Sequence, residues 1–341
     1  MTTISSVSLK PSELKALFLK TVPAQLPVLV KGAPGVGKSD ILTQVARELE
    51  TDLIIKHPVV DDPIDYKGLG FKLDGKNEAS FLPFGDLKAL IDADKPTICF
   101  LDDLGQAPPA VQAAAMQLLL ARRINGHRVS DHVCFVAATN RKADKAGVSG
   151  ILEPVKSRFA TIVELVPDVD DWIKWALDNG MPSELIAFIR WRPNLLWDFK
   201  ATSDMTNSPC PRTVANVGKL MLAGIPQELE YQVIAGAAGE AFAVELTGFL
   251  QIFRKLPHPD RVLMDPDSAL VPDDPATLYA LCGALARRVS VQTADNFFAY
   301  ADRLPEEFSV LLVRDAIHHA DEIQHTRRFI KWSADHSDVL I

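Results

Sequence analysis

Apolar and polar residues follow two regimes along this chain, and the change comes at Pro167. Before it, short apolar runs alternate with stretches of helical periodicity. PSELKALFLK at 11–20 predicts a short helix, with Pro11 near its start and Ser12 as a candidate N-cap. VLVK at 28–31 predicts a strand, and SDILTQVARELE after it carries Ile41, Leu42, Val45, Ala46 and Leu49 at helical spacing. Further strands are expected at Thr51–His57, Thr97–Leu101, Val133–Ala138 and Thr161–Val166. The runs at 97–101 and 133–138 are continuously apolar, as in strands buried on both faces. Pro109–Arg123 is an Ala- and Leu-rich helix, followed by an Asn125-Gly126 turn. Asp61–Pro83 is turn-rich, and the turn at Asp74–Lys76 between FKL and ASFLPF predicts a small hairpin. Strands alternating with helices over 27–166 point to an α/β fold, an αβα sandwich around a parallel five-stranded sheet.

Beyond Pro167 the pattern is helical throughout. WIKWALDNG, SELIAFIRWR, RTVANVGKLMLAG and ELEYQVIAGAAGEAFAVELTGFLQIF all show it, and Trp172, Trp175, Trp191 and Trp197 are read as core rather than as a stacking platform for bases. The Pro/Asp-rich stretch 257–275 reads as a linker or long loop, after which helical pattern resumes. The expected organisation is therefore an α/β domain at 1–166, a helical domain at 167–256 and a helical extension at 257–341 that carries no assignable motif.

Composition changes this picture little. With 48% hydrophobic and 23% charged residues, the 341-residue chain has the make-up of a globular protein with a sizeable core. A net charge of -8 weighs against a polyanion as main partner. Cys99, Cys134, Cys210 and Cys282 form no C-x-x-C pair, which suits a reducing compartment. No apolar stretch approaches the ~20 residues that span a bilayer, and the N-terminus shows no signal-peptide core. A cytoplasmic location without membrane contact is expected.

The candidate chemistry sits in the α/β part. GAPGVGKS at 32–39 fills the pattern GxxxxGK[ST] between a strand and a helix, the context in which successive backbone N–H groups and the helix dipole bind phosphates. Gly32, Ala33, Pro34, Gly35, Val36, Gly37, Lys38, Ser39 and Asp40 are the candidate nucleotide contacts. Lys38 is expected to reach the β/γ-phosphates and the Ser39 hydroxyl to ligate Mg²⁺. TICFLDD at 97–103 places Asp102 at the carboxyl end of a buried strand, where it is the candidate second Mg²⁺ ligand. Asp103 is then the candidate for orienting the attacking water.

Taken in order, these motifs resemble the AAA+ ATPases, a group of the P-loop NTPase fold, and most closely their MoxR-like branch. GAPGVGKS resembles the family's Walker A and CFLDD its Walker B. The run LDDLGQAPPAVQAAAMQLLLARRINGHRVSDHVCFVAATN follows that branch through a helix and a hairpin to Asn140, at the sensor-1 position. The resemblance implies that Asn140 helps hold the lytic water. LEPVKSRF at 152–159 resembles the segment ending in the arginine finger, so Arg158 is the candidate to reach a neighbouring subunit's site. CPRTVANV at 210–217 resembles the sensor-2 segment, with Arg212 as the candidate nucleotide contact from a helical lid. The resemblance covers about residues 20–255. It implies a ring, expected to be a hexamer, that couples hydrolysis of ATP to remodelling of a protein partner, with a von Willebrand A domain protein as an expected companion. Arg122 and Arg123 could face a neighbour's nucleotide or the central pore, and helix-dipole complementation explains them equally well. The segment 61–83 could be a pore-facing or partner-facing insert.

One position departs from the family pattern. Walker B normally ends Asp-Glu, whereas this chain has Asp102-Asp103. A side chain one methylene shorter is consequential because attack geometry tolerates little misplacement. It keeps open a slow-hydrolysing, nucleotide-gated scaffold. A DNA-directed motor or loader is a further alternative that the acidic balance disfavours. A small-molecule kinase would have no use for Asn140 or Arg158. His318, Glu322 and His325 fall at helical spacing, but in so charged a segment they read as a solvated face before a metal site.

Overall fold

The computed structural model describes residues 8–144, 147, 150–202, 204–256 and 258–336. Residues 1–7 and 337–341, which the expected first and last domains included, lie outside them, as does Pro257 at the expected helical boundary. The chain divides into two compact units, Met1–Asp168 and Val169–Ile341.

The first unit runs β1 (Ser8–Leu9), α1 (Pro11–Thr21), β2 (Val28–Lys31), α2 (Lys38–Glu48), β3 (Asp52–Lys56), α3 (Pro63–Lys67), β4 (Leu69–Lys72), β5 (Ala79–Leu82), α4 (Gly85–Asp92), β6 (Thr97–Leu101), α5 (Pro109–Ala121), β7 (Arg123–Ile124), β8 (His127–Arg128), β9 (Val133–Thr139), α6 (Glu153–Lys156) and β10 (Thr161–Leu165). The central sheet is parallel throughout, in the order β1-β10-β2-β9-β6-β3. All five expected strands are present, and Ser8–Leu9 adds a short sixth beside Glu164–Leu165. Every residue of β6 and β9 is buried, as their unbroken apolar runs require. The register pairs Lys31 with Thr139 and Leu101 with Ala137. The carboxyl ends of β2, β9 and β6 therefore lie side by side, where open α/β sheets place their ligands.

Local chemistry sets several boundaries. Ser12 is not the cap of α1. Pro11 takes the first helical position, and the Lys10 N–H donates to the Glu13 carboxylate at 3.0 Å. The turn-rich stretch holds the expected hairpin as β4–β5, and also the short helix α3, whose start Asp62 caps through the Ile64 N–H. Lys56, at the end of β3, is buried and binds Asp61 at 3.4 Å and Asp86 at 3.2 Å, and Tyr66 donates to Asp61 at 2.6 Å. This cluster ties the base of the hairpin to the sheet. Leu69, Phe71, Phe81 and Leu82 of the hairpin itself are exposed. The second hairpin, β7–β8, docks on it: Asn125 donates to the Lys67 carbonyl at 2.7 Å, and His127 Nε2 lies 2.8 Å from the Phe81 carbonyl.

The second unit is helical: α7 (Val169–Asp178), α8 (Ser183–Trp191), α9 (Pro211–Leu222), α10 (Glu230–Ala238), α11 (Glu240–Arg254), α12 (Pro259–Met264), α13 (Pro275–Ala286), α14 (Ala294–Ala301), α15 (Glu306–His319) and α16 (Arg327–Asp335). The long helical run after Glu228 breaks at Gly239, which has φ +93°; a Cβ there would meet the Asn207 carbonyl at 2.8 Å. The stretch read as a linker contains α12. Trp172, Phe188, Phe242 and Phe249 lie in one apolar cluster and Phe297, Phe298 and Trp332 in a second; Leu256 and Tyr279 pack against both. The expected helical domain and its extension thus fall within one compact unit. Helix α15 ends at His319, so His318 and His325 do not share a helical face. No cluster of metal-ligating side chains occurs among the described residues. Nor, among them, is any helix long and apolar enough to cross a membrane. All four cysteines are buried as free thiols, and burial pushes Cys99 and Cys282 up to about 12, so they act as small hydrophobes.

Arg190 on α8 and Asp315 on α15 form a bidentate pair, Nη2 to Oδ1 at 2.7 Å, with Asp315 only 5% exposed. Removing one member leaves the other charge buried and unpaired, at a cost of about 3–5 kcal/mol. Asp315→Ala is expected to lower the melting temperature of the helical unit by on the order of 10 °C. Differential scanning calorimetry checks this, and an unshifted transition would show the pair to be dispensable.

Candidate active site

The loop after β2 begins with the Gly32 N–H donating to the Thr139 carbonyl at 3.1 Å, which extends the strand pairing by one residue. A Cβ at Gly32 would lie 3.0 Å from the Leu165 carbonyl, so a side chain does not fit there without a shift. Gly37, at φ +99°, is the N-cap of α2, a conformation that other residues rarely adopt. It turns the chain so that Lys38, Ser39 and Asp40 form the first turn of the helix, at the positive end of its dipole. Residues 32–40, expected as the cradle, form a glycine-lined loop running into the positive end of a helix.

The side chains converge on it. Lys38, 9% exposed, donates to the Gly32 carbonyl at 3.0 Å, the Ala33 carbonyl at 3.1 Å and Asn140 Oδ1 at 2.8 Å. Asn140, just past β9, presents its other amide atom to Asp103 Oδ1 at 3.0 Å. Ser39 donates to Asp102 Oδ2 at 2.6 Å, and the Asp103 N–H donates to Asp102 Oδ1 at 3.0 Å. Lys38, Ser39, Asp102, Asp103 and Asn140 therefore form one connected set, assembled from three strand ends far apart in sequence. The hydroxyl and carboxylate of Ser39 and Asp102 are hard oxygen donors of the kind that hold Mg²⁺ while leaving it several waters. That donor pair fits the ion.

Residues 27–159 match the family model described as the AAA domain of the dynein-related subfamily. This segment is similar to the AAA domains. No curated protein matches the sequence. Among solved structures, the chain aligns with a mutant form of RuvB from Thermotoga maritima at 17% identity and a TM-score of 0.43, covering 81% of this chain and 82% of that one. NtrX from Brucella abortus in complex with ADP aligns at 14% identity and a TM-score of 0.42, covering 85% of this chain and 62% of that one. Likenesses this distant carry no inference about substrate or partner.

Three further arginines of this segment, Arg122, Arg123 and Arg158, part ways. Arg122, expected as one of two possible pore or neighbour contacts, is spent internally. It adopts φ +48° after α5, its guanidinium donates to the Val133 carbonyl at 2.9 Å and to the Ser130 carbonyl, and it lies 5.9 Å from the Phe135 ring centre. Arg123 is exposed. Arg158 follows α6 and, among the described residues, its side chain makes no hydrogen bond or ion pair; its Nε is buried without a partner. It is not joined to the set around Lys38. Its segment is nevertheless held to α5. Gln112 donates to the Ala107 carbonyl at 3.1 Å and the Gly150 carbonyl at 2.9 Å, and accepts from the Leu152 N–H at 3.1 Å. Arg212 belongs to the second unit, exposed in the first turn of α9.

Two groups escaped the sequence reading. Gln106 donates to Asp103 Oδ1 at 2.9 Å. Arg141, next to Asn140, pairs with Asp144 at 2.8 Å and with Glu164 at 3.3 Å, and Glu164 also meets Lys31 at 3.0 Å. The Asp144 bonds raise Arg141 against some loss to burial. Burial would raise the Glu164 carboxyl, but Lys31 and Arg141 outweigh it and hold it below the usual carboxylate range. This ion network staples β2, the segment after β9 and β10 beside the cradle. The sequence gives no sign that the turn after Asp103 sets Gln106 on its carboxylate, and the Arg141–Glu164 contact appears only through proximity across the sheet.

Proposed function

We propose that the chain is a Mg²⁺-dependent ATPase of the MoxR-like kind that assembles as a ring, a hexamer being the expected size, and uses ATP hydrolysis to remodel a protein partner. The observation that carries the ATPase reading is the connected set Lys38–Asn140–Asp103 beside the Ser39–Asp102 pair. In this reading the loop at 32–37 binds the phosphates through its N–H groups and Lys38 meets the β/γ-phosphates. Ser39 and Asp102 hold Mg²⁺, which supplies charge neutralisation at the phosphates when bound. Asp103 takes the proton of the attacking water while the water oxygen bonds to the γ-phosphorus. The bond to the β-phosphate oxygen breaks with its electron pair, leaving ADP and inorganic phosphate. Asn140 keeps Asp103 and Lys38 in mutual register. Arg158, without a partner in its own chain among the described residues, is the candidate donor to a neighbouring copy's γ-phosphate.

A protein carrying a von Willebrand A domain is the partner that the resemblance suggests, and the acidic charge of -8 supports a protein over nucleic acid. The test combines light scattering after size exclusion with ATPase assays over a range of protein concentration. The expected result is turnover that rises with assembly, and an Asp103→Asn variant that still assembles and binds nucleotide but turns over about 10²-fold more slowly. Concentration-independent turnover by a monomer would sink the ring. Salt-sensitive DNA binding that stimulates turnover would favour the DNA-directed alternative.

A further inference from the structure

We propose that Gln106 is a positioning residue for hydrolysis, clamping Asp103 Oδ1 together with Asn140 so that Oδ2 alone is left to receive the proton of the attacking water. The inference rests on the ATPase reading given above and assigns a new residue to the same site.

The geometry begins with the local backbone. After β6 the chain reaches Asp103 at φ +56° and enters a tight 3₁₀ turn, Leu104–Gln106, closed by the Gln106 N–H donating to the Asp103 carbonyl at 2.9 Å. In such a turn side chains three apart eclipse one another, so Gln106 is brought onto Asp103. Its Nε2 donates to Asp103 Oδ1 at 2.9 Å, and Asn140 Nδ2 donates to the same oxygen at 3.0 Å. Among the described residues, no hydrogen bond is made to Asp103 Oδ2.

The chemistry of the partners dictates both amide orientations. Lys38 is donor-only, so Asn140 must turn its oxygen to the ammonium and its nitrogen to the carboxylate. A carboxylate is acceptor-only, so Gln106 must likewise turn its nitrogen inward. That choice strands the other end of the amide: Gln106 Oε1 is buried with no hydrogen-bond partner. A buried orphan acceptor and a non-glycine residue at positive φ both work against stability, and both fall on the Asp103–Gln106 turn. Costs concentrated in this way mark a place where the surrounding structure holds a conformation that function uses. Here the conformation is that of a short carboxylate. Asp103 is one methylene shorter than the glutamate of the family pattern, and a second amide on Oδ1 removes the rotational freedom by which its one remaining oxygen would miss the water.

The test is Gln106→Met, which keeps the length and apolar stem and deletes both amide atoms, with Gln106→Ala as a second variant. Both are assayed for kcat, KM for ATP and melting temperature. The expected result is a kcat about 10²-fold lower with KM within twofold, and in Gln106→Met a melting temperature no lower than wild type, because the orphan acceptor is gone. In an Asp103→Asn background the same substitutions are expected to change kcat by less than about twofold, since Gln106 acts through Asp103. Equal losses in both backgrounds, or a lowered melting temperature with kcat unchanged, would make Gln106 merely structural and overturn the inference while leaving the ATPase reading intact. Absence of Lys38-dependent turnover in the wild type would overturn both.

Discussion

Lys38→Ala is expected to lower ATP turnover by about 10²- to 10³-fold. The size follows from what one ammonium does in this site. It is buried, it ties the first two carbonyls of the loop together, and it holds the oxygen of Asn140. In the proposed role, its loss removes the charge that meets the phosphates from a buried place where water does not compensate. It also frees Asn140 to turn, which loosens one of the two amides on Asp103. Nucleotide affinity is therefore expected to fall together with kcat, unlike the kcat-only loss expected at Asp103. Titration with a fluorescent ATP analogue and steady-state assay separate the two. A Lys38→Ala protein with wild-type turnover would remove the cradle from the reaction altogether.

The second large effect belongs to Arg158. Arg158→Ala is expected to lower kcat by about 10³-fold, as loss of an arginine that meets transition-state charge does, while nucleotide affinity stays within severalfold. The side chain has no partner of its own among the described residues, and Gln112 holds the preceding segment to α5. It is thus presented on a fixed base. Its effect should be rescued in trans. Arg158→Ala retains an intact cradle and Lys38→Ala retains the arginine, so in a ring of head-to-tail copies mixed at equal amounts about one interface in four carries both. Mixing two nearly inactive proteins should then restore turnover to roughly a quarter of wild type. No recovery in mixtures that demonstrably co-assemble would count decisively against a role in trans.

Gly32–Ser39 and Asp102-Asp103 stood out in the sequence because each follows a strongly apolar run, and Asn140 was singled out by the family resemblance. Strands buried on both faces announce themselves by unbroken hydrophobicity, and β6 and β9 are entirely buried. Short elements without that signal were not legible. Ser8–Leu9 is a strand only because Glu164–Leu165 offers it an edge, and α3 depends on Asp62 and on the Lys56–Asp61–Tyr66 cluster. The break at Gly239 was hidden because alanine-rich helical periodicity runs straight through it, and what forbids a side chain there is the distant Asn207 carbonyl. Arg122 looked available for a neighbour, since a sequence does not say that the Val133 and Ser130 carbonyls will claim it.

The sequence by itself determined that Gly32–Ser39 is a glycine-rich turn between a strand and a helix that fills the pattern of a phosphate cradle, because backbone freedom at glycine and the charge of lysine are local properties. It also determined that Asp102-Asp103 ends a buried strand. Only the tertiary structure decided that Asp103 is shared between Asn140 and Gln106, that Lys38 is the far end of the same chain of bonds, and that Arg158 is left without a partner among the described residues while Arg122 is not. The reason is directional. Hydrogen bonds between side chains carried on different strand ends depend on strand order and register, and those are fixed by packing of the whole sheet rather than by any one segment of it.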